Sequence, residues 1–345
     1  DETVQGLSSH FVWLNRSKES ITLDLKRPDA GRIMSGLIDT ADVFVQNFAP
    51  GAVERLGLGV AQLRENRPRL ITCSISGYGP TGPYRDAKAY DLLIQAEAGL
   101  LAVTGTEEQP AKSGIPAADI GAGMYAFSAI LSALYDRERT GSGVALDISL
   151  FDAMIEWMGY PLYYAGYSGS RPARSGMSHA AIAPYGAFTV GDGTEFVISV
   201  QNHREWVLFC ERVLRRPHML EDDRFATGSR RVENRTALDN EIEGVFSRLT
   251  GIQLEQRLTA AGIAHARRRE LDEVLNHPQL AARDRFTKVG SPAGALNAVL
   301  PVITYPHRPP RLGPVPAIGQ QTDDILTELG FTAVERAGWR ADGVI

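Results

Sequence analysis

Cysteine is scarce in this sequence: two residues, Cys73 and Cys210, in a chain of 345. So far apart, they cannot make a disulfide framework, and reduced thiols in a cytoplasmic protein are the expectation. The histidines, among them His10, His179, His203 and His277, fall at no metal-ligand spacing, so no metal site is expected. No window of the eighteen or so residues needed for a membrane helix is uninterruptedly apolar. The opening Asp1-Glu2-Thr3-Val4-Gln5 lacks the basic and apolar stretches of a signal peptide. No membrane association is expected. No G-x-G-x-x-G follows a strand, so the dinucleotide-binding fingerprint is missing. Ser74 and Ser149 lie in no G-x-S-x-G elbow, which leaves a serine hydrolase unsupported. A net charge of −5 argues against a nucleic-acid partner but leaves room for a local basic pocket that holds an anion.

What is present is ordinary globular composition, 43% hydrophobic and 22% charged. From residue 20 to about 160, β-rich runs alternate with helical periodicity. Strands are expected at Ile21–Leu25, at Val43-Phe44-Val45 (apolar enough to be buried on both faces), at Leu70–Ile75 and at Val144–Ile148. Helices are expected at Asp29–Thr40, Ala52–Leu56, Val60–Asn66, Asp91–Leu101, Ile120–Thr140 and Leu150–Met158. This alternation predicts an α/β domain with a parallel sheet. Such a domain usually opens on a buried strand, so residues upstream of Asp1 are expected.

The composition shifts near residues 160–185, where Tyr and Gly crowd together, and this stretch reads as a linker or functional loop. Beyond it, Tyr185–Val190 and Glu195–Val200 flank Gly191-Asp192-Gly193, a hairpin signal. Helical patterns follow at Arg204–Leu214, Arg235–Leu249 and Ile252–Ala261, making a smaller α+β domain. A Pro-rich connection, Pro301–Pro316, leads to a last short helix at Asp323–Leu329.

Three segments could carry chemistry. Asp119 sits in Gly114-Ile115-Pro116-Ala117-Ala118-Asp119-Ile120-Gly121-Ala122-Gly123, between a proline-stiffened turn and a helix of small residues. It reads either as an ordinary helix N-cap, the commoner role for Asp, or as an anionic nucleophile beside residues small enough to admit a ligand. Asn47-Phe48-Ala49-Pro50-Gly51-Ala52-Val53-Glu54-Arg55 joins a strand to a helix, a natural place for a phosphate. Ser76-Gly77-Tyr78-Gly79-Pro80-Thr81-Gly82-Pro83 follows a strand, where open α/β sheets place ligands, or else it is a sharp connection. Asp91 reads as the cap of the helix it opens.

Together these segments resemble the family III CoA-transferases, the carnitine, formate/oxalate and bile-acid family. The matches extend to Phe11–Lys26, Thr140-Gly141-Ser142-Gly143, Pro184–Phe188 with Asp192-Gly193, Asp223-Arg224-Phe225, Arg231–Arg235 and His277–Leu280. The resemblance implies a Rossmann-like large domain (1–165), a linker or active-site loop (166–184), a small α+β domain (185–295), and a C-terminal segment (296–345) returning to the large domain. It also implies an interlocked homodimer.

By the same resemblance Asp119 is the catalytic nucleophile, forming an acyl anhydride and then an aspartyl-CoA thioester. Lys26, Asn47, Phe48, Ala52, Arg55, Ser76 and Tyr78 match coenzyme A contacts. A glycine-rich lid would fall in 166–176, although no clean glycine run stands there. The partners would be an acyl-CoA donor, such as succinyl-CoA, and a carboxylate acceptor. Arg16, Arg171 and Arg174 could pair with the second carboxyl of a small dicarboxylate such as mesaconate, itaconate or malate. A 2-methylacyl-CoA racemase is the alternative, weighed down by Tyr90, which stands where that branch carries a histidine base. A CoA-binding protein without catalysis is the third reading.

Overall fold

The computed structural model describes residues 1–345 and divides into two compact units. The first comprises Asp1–Ala87, Met124–Ile148 and Leu271–Ile345; the second comprises Lys88–Gly123 and Ser149–Glu270.

In the first unit three strands lie in spatial order β1 (Val43–Gln46), β2 (Ile71–Ser76), β3 (Ala145–Ser149). β1 and β2 are parallel, with Val43 opposite Ile71 and Gln46 opposite Ser74. The apolar run of β2 sits in the middle, and Ile71, Thr72 and Cys73 are buried. β1 was expected to be buried on both faces, but it is an edge strand and Val45 is half exposed. Helix Ala30–Asp39 buries Ala30 and Ile33 with Leu326, Trp339 and Val344, and Ile38 with Val53, Leu58, Leu63 and Leu70.

Ile21–Leu25, expected to be a strand, joins no sheet. Its alternation is real, since Ile21, Leu23 and Leu25 pack on the core. Its backbone groups, however, are taken by the C-terminal segment: Gln321 N–H donates to Ser20 O, Thr22 N–H to Thr322 Oγ1, and Asp24 N–H to Val344 O. Two further elements of this unit were not among those expected from the sequence. They are the hairpin Phe286–Val289 with Leu296–Val299 and the helix Ala333–Ala341, closed by a Thr332/Glu335 capping box.

The second unit has an antiparallel sheet, β4 (Tyr185–Thr189), β5 (Glu195–Ser199) and β6 (Ala264–Arg267), with the hairpin in the expected place. Helices cover it and bury Phe196, Trp206, Phe209, Phe225 and Phe246 in one core. Arg231, 5% exposed, lies over the Trp206 ring at 4.7 Å and donates to Ala183 O and Phe225 O. The predicted helix Asp91–Leu101 breaks in two (Asp91–Glu97 and Leu100–Val103) at Gly99, whose φ of +84° favours glycine. Residues 159–168, expected to be a loop, are helical: Tyr160, Tyr163, Tyr164 and Tyr167 recur at helical spacing and stand exposed.

The long helix Ala117–Thr140 begins three residues before its predicted start. By length and mean hydropathy (1.4) it could cross a membrane. One face of it is buried, through Ala118, Ala122, Ala126 and Ala133. Arg137, also buried, donates to the Asp42 carboxylate at 2.9 Å and reaches the carbonyls of Asp42 and Arg69, where β1 and β2 begin.

Candidate active site

In the second unit, Asp119 occupies the first turn of the long helix and is exposed, while Ala118 beside it is fully buried. It is not the N-cap that the sequence suggested. Ile120 N–H donates to Pro116 O, which makes Pro116 the cap and Asp119 the third helical residue. Proline has no side-chain acceptor for the free N–H groups of that turn. The acceptor comes from Asp91 instead: its Oδ1 accepts Ala118 N–H at 2.8 Å and Asp119 N–H at 3.4 Å. Asp91 was expected to cap its own helix. That helix has Tyr90 as its cap, with no side-chain hydrogen bond, because the Asp91 carboxylate is turned to the other one. Tyr90 itself is 71% exposed.

Gln95, one turn beyond Asp91 and 1% exposed, donates Nε2–H to Asp91 Oδ2 at 2.6 Å. Its Oε1 accepts Ser113 N–H at 2.9 Å. No motif points to Gln95, and only its place one helical turn after Asp91 could draw notice. Of the small residues after Asp119, Gly123 faces open space. A Cβ at Gly121 would instead stand 3.5 Å from the Trp157 ring, so that glycine serves packing.

The first unit carries two hollows. Gln46, Phe48, Gly51, Ser74, Ser76 and Arg85 line a cavity of about 120 Å³ where β1 and β2 end. Its loops are held locally, Gln46 Oε1 accepting Phe48 N–H at 2.8 Å and Ser76 Oγ accepting Gly79 N–H at 3.0 Å. The floor strand carries Cys73, whose thiol burial pushes up, with the charge of Asp147 adding to the effect. Lys26, Arg27, Ala52 and Arg55 line an open cleft of about 640 Å³. The fold thus brings Phe48 to Ser76, and Lys26 to Ala52 and Arg55, across long sequence intervals. Asn47, exposed, lines neither hollow, and Tyr78 packs its ring on Tyr84 at 5.3 Å.

The helix that was to present its N-terminus to a phosphate is a single turn, Ala52–Arg55. Its dipole is correspondingly small, so the positive potential of this cleft rests on Lys26, Arg27 and Arg55. Arg27 was not singled out by sequence. A bare basic pair before a proline carries no spacing signal.

Two arginines weighed as carboxylate partners are already engaged. Arg16 donates to Val299 O at 2.6 Å and to Trp13 O. Arg174 donates to Thr106 O at 2.7 Å and Glu107 O at 2.6 Å, and Gly176 N–H bonds Gly105 O. The stretch around residues 174–176 is therefore pinned to the 105–107 turn within its own unit. Arg171 is exposed.

The comparisons with known proteins agree with one another. A family model described as CoA-transferase family III matches residues 1–322. An acyl-CoA transferase of Fusarium pseudograminearum is 35% identical over 100% of this chain and 76% of its own length. The mouse succinyl-CoA:glutarate CoA-transferase is 30% identical over 93% of this chain and 74% of its own. The crystal structure of a CAIB/BAIF family protein from Brucella suis superposes with a TM-score of 0.83 at 33% identity, covering 93% of this chain and 84% of that one. The chain belongs to CoA-transferase family III and is a CoA-transferase.

Proposed function

We propose that this enzyme moves coenzyme A from an acyl-CoA, succinyl-CoA being the favoured donor, to a small dicarboxylic acid, with Asp119 as nucleophile. The observation that carries the proposal is the exposed Asp119 carboxylate in the first turn of a helix whose N–H groups are bound by another residue, Asp91. An Asp119 oxygen attacks the thioester carbonyl. The C–S bond breaks, CoA leaves as thiolate, and an acyl-aspartyl anhydride remains. The thiolate then attacks the aspartyl carbonyl, which releases the donor acid and leaves an aspartyl-CoA thioester. The acceptor carboxylate repeats the two steps in reverse order and departs as its CoA thioester, restoring Asp119. Each step exchanges one activated acyl bond for another, so the transfer from thioester to thioester is conserved provided water is kept out.

In this reading Lys26 and Arg55 bind the phosphates in the open cleft, helped by Arg27. Asn47, Phe48 and Ala52 border the CoA chain, and Ser76 and Tyr78 form the wall at the thioester. The dicarboxylate assignment is supported by the relative that uses glutarate. Of the three arginines considered for the second carboxyl, Arg171 keeps a guanidinium not spent on backbone carbonyls. Tyr90 supplies no imidazole, so nothing favours the racemase.

The reading includes a Rossmann-like large domain (1–165), a linker (166–184), a small domain (185–295) and a returning C-terminal segment (296–345), in a cytoplasmic, interlocked homodimer. Support for the dimer comes from apolar side chains that one chain leaves uncovered. Met124, Phe127, Leu131 and Tyr135 form a stripe along the long helix and are 49–69% exposed. The test is mass spectrometry of the protein after incubation with succinyl-CoA and quenching with hydroxylamine or borohydride. A modification mapping to Asp119, absent from Asp119→Ala, is the expected result. No adduct with several donors, together with solvent deuterium entering an acyl α-carbon, would move the enzyme to the racemase branch.

A further inference from the structure

We infer that Gln95 is a positioning residue for the nucleophile, acting through Asp91; the inference rests on the role proposed for Asp119. The segment 113–119 is a turn of Ser, Gly, Ile and Pro followed by the first residues of the helix, and a Cβ at Gly114 would meet only open space. Its own side chains hold it weakly: Ser113 Oγ accepts Ile115 N–H at 3.3 Å, and Pro116 offers the helix no capping side chain. Two anchors fix its ends. Ser113 N–H is bound by Gln95 Oε1, and Ala118 and Asp119 N–H are bound by Asp91 Oδ1. The bond from Gln95 Nε2–H to Asp91 Oδ2 joins these two anchors into one clamp.

The polarity of the clamp is determined throughout. Ser113 N–H can only donate, so it selects the amide oxygen of Gln95. The amide nitrogen is thereby aimed at the Asp91 carboxylate, whose other oxygen is free to accept from the helix. Gln95 is buried, so water cannot readily take over the bonds of its amide. Burying a glutamine costs free energy unless both ends of its amide are bonded. Its burial here, with both ends bonded, makes the backbone at Asp119 rigid in the frame of helix Asp91–Glu97. A carboxylate that must attack a carbonyl, and then present its own carbonyl to the returning thiolate, needs a fixed origin for both approaches.

The polarity also predicts a specific rescue. In Q95E a carboxylate faces the Asp91 carboxylate, and in D91N an amide N–H₂ faces that of Gln95; each change sets like groups against each other. In the double variant D91N/Q95E every bond is regained with the middle one reversed. The amide introduced at position 91 donates N–H to the carboxylate introduced at position 95, which also accepts Ser113 N–H. The amide oxygen at position 91 accepts Ala118 N–H. The net charge is unchanged.

The experiment uses the full chain with succinyl-CoA and measures the single-turnover rate of adduct formation at Asp119, per site that can be trapped, together with KM for the donor. Both single variants are expected to lose about 10- to 100-fold in rate, the size of a misplaced reacting group or a lost orienting partner, with KM changed less than about threefold. The double variant is expected to recover to within about fivefold of the unaltered enzyme. A role in stability alone would lower the melting temperature and the number of trappable sites while leaving the rate per site unchanged, and that result overturns the inference. So does a double variant as slow as the slower single. If a single variant does not fold, Gln95→Met, which keeps the volume and removes the bonds, takes its place with the same two outcomes. Absence of any Asp119 adduct in the unaltered enzyme defeats the proposed function; an adduct that forms equally fast in the variants defeats only the clamp.

Discussion

Gly143→Ala is the substitution whose cost the structure determines most directly. Gly143 does not need a left-handed backbone, so conformational freedom is not at stake. A Cβ built there would stand 2.2 Å from Leu70 O and 2.6 Å from Arg69 O, both backbone atoms where β2 begins. An ordinary carbon–oxygen contact is more than about 3 Å, so the 141–143 turn must withdraw by about 1 Å or more. Withdrawal breaks two bonds that the turn makes, Gly143 N–H to Pro68 O at 2.8 Å and Arg64 Nη2–H to Gly143 O at 2.7 Å. At about 1 kcal/mol for each lost bond and about 1–3 kcal/mol for overpacking, the cost is about 3–5 kcal/mol. Gly141→Ala makes the natural control. Gly141 has a φ of +76° and open space around it, so alanine there costs only the left-handed backbone, about 1–2 kcal/mol. Urea unfolding followed by circular dichroism measures both. A loss below about 1 kcal/mol at Gly143, or a larger loss at Gly141 than at Gly143, would refute the reasoning.

Three further outcomes follow from named groups. Asp119→Asn keeps the shape of the side chain and removes the nucleophile, so turnover should fall by more than about 10³-fold while CoA binding by calorimetry stays within a few-fold. Arg55→Gln should raise KM for acyl-CoA about fivefold with little change in kcat, because Arg55 is exposed and screened; the difference should shrink at high salt, and a loss confined to kcat would contradict its place in the cleft. Burial pushes the Cys210 thiol from 9.0 up to about 12, so the folded chain keeps a proton that the unfolded chain gives up. Stability from this group is therefore complete below pH 9 and is lost as pH rises from there toward 12, at up to about 1.4 kcal/mol per unit. Cys210→Ala should lack that component of the alkaline slope, and identical slopes in the two proteins would show that the thiol is not the cause.

The strands and helices that carry their own local pattern are legible in the amino-acid order: β2 as a short β-rich run between a proline and a glycine-rich loop, the hairpin around Gly191-Asp192-Gly193, and the long small-residue helix. So are the segments with chemistry in them, because a Pro-Gly turn after a strand or an Asp before a Gly/Ala helix is a local pattern. Residues 159–168 mislead because tyrosine and glycine suggest a loop by composition, while the exposed tyrosines in fact repeat at the helical period. Ile21–Leu25 shows the converse. Its alternation correctly marks which side chains go inward, but alternation says nothing about which backbone will bond it, and Ser20–Asp24 finds its partners some 300 residues away in Gln321, Thr322 and Val344.

The amino-acid sequence by itself determined which residues can do chemistry: a carboxylate at a helix start, cations near a strand-to-helix turn, no imidazole at position 90. Only the tertiary structure decided how they are held. That Asp119 is not a cap, that Asp91 caps a helix other than its own, and that buried Gln95 ties the two anchors together all depend on contacts 18 to 28 residues apart. Periodicity is a property of neighbours in the chain. Hydrogen-bond partners across that separation are chosen by packing, which no window along the sequence contains.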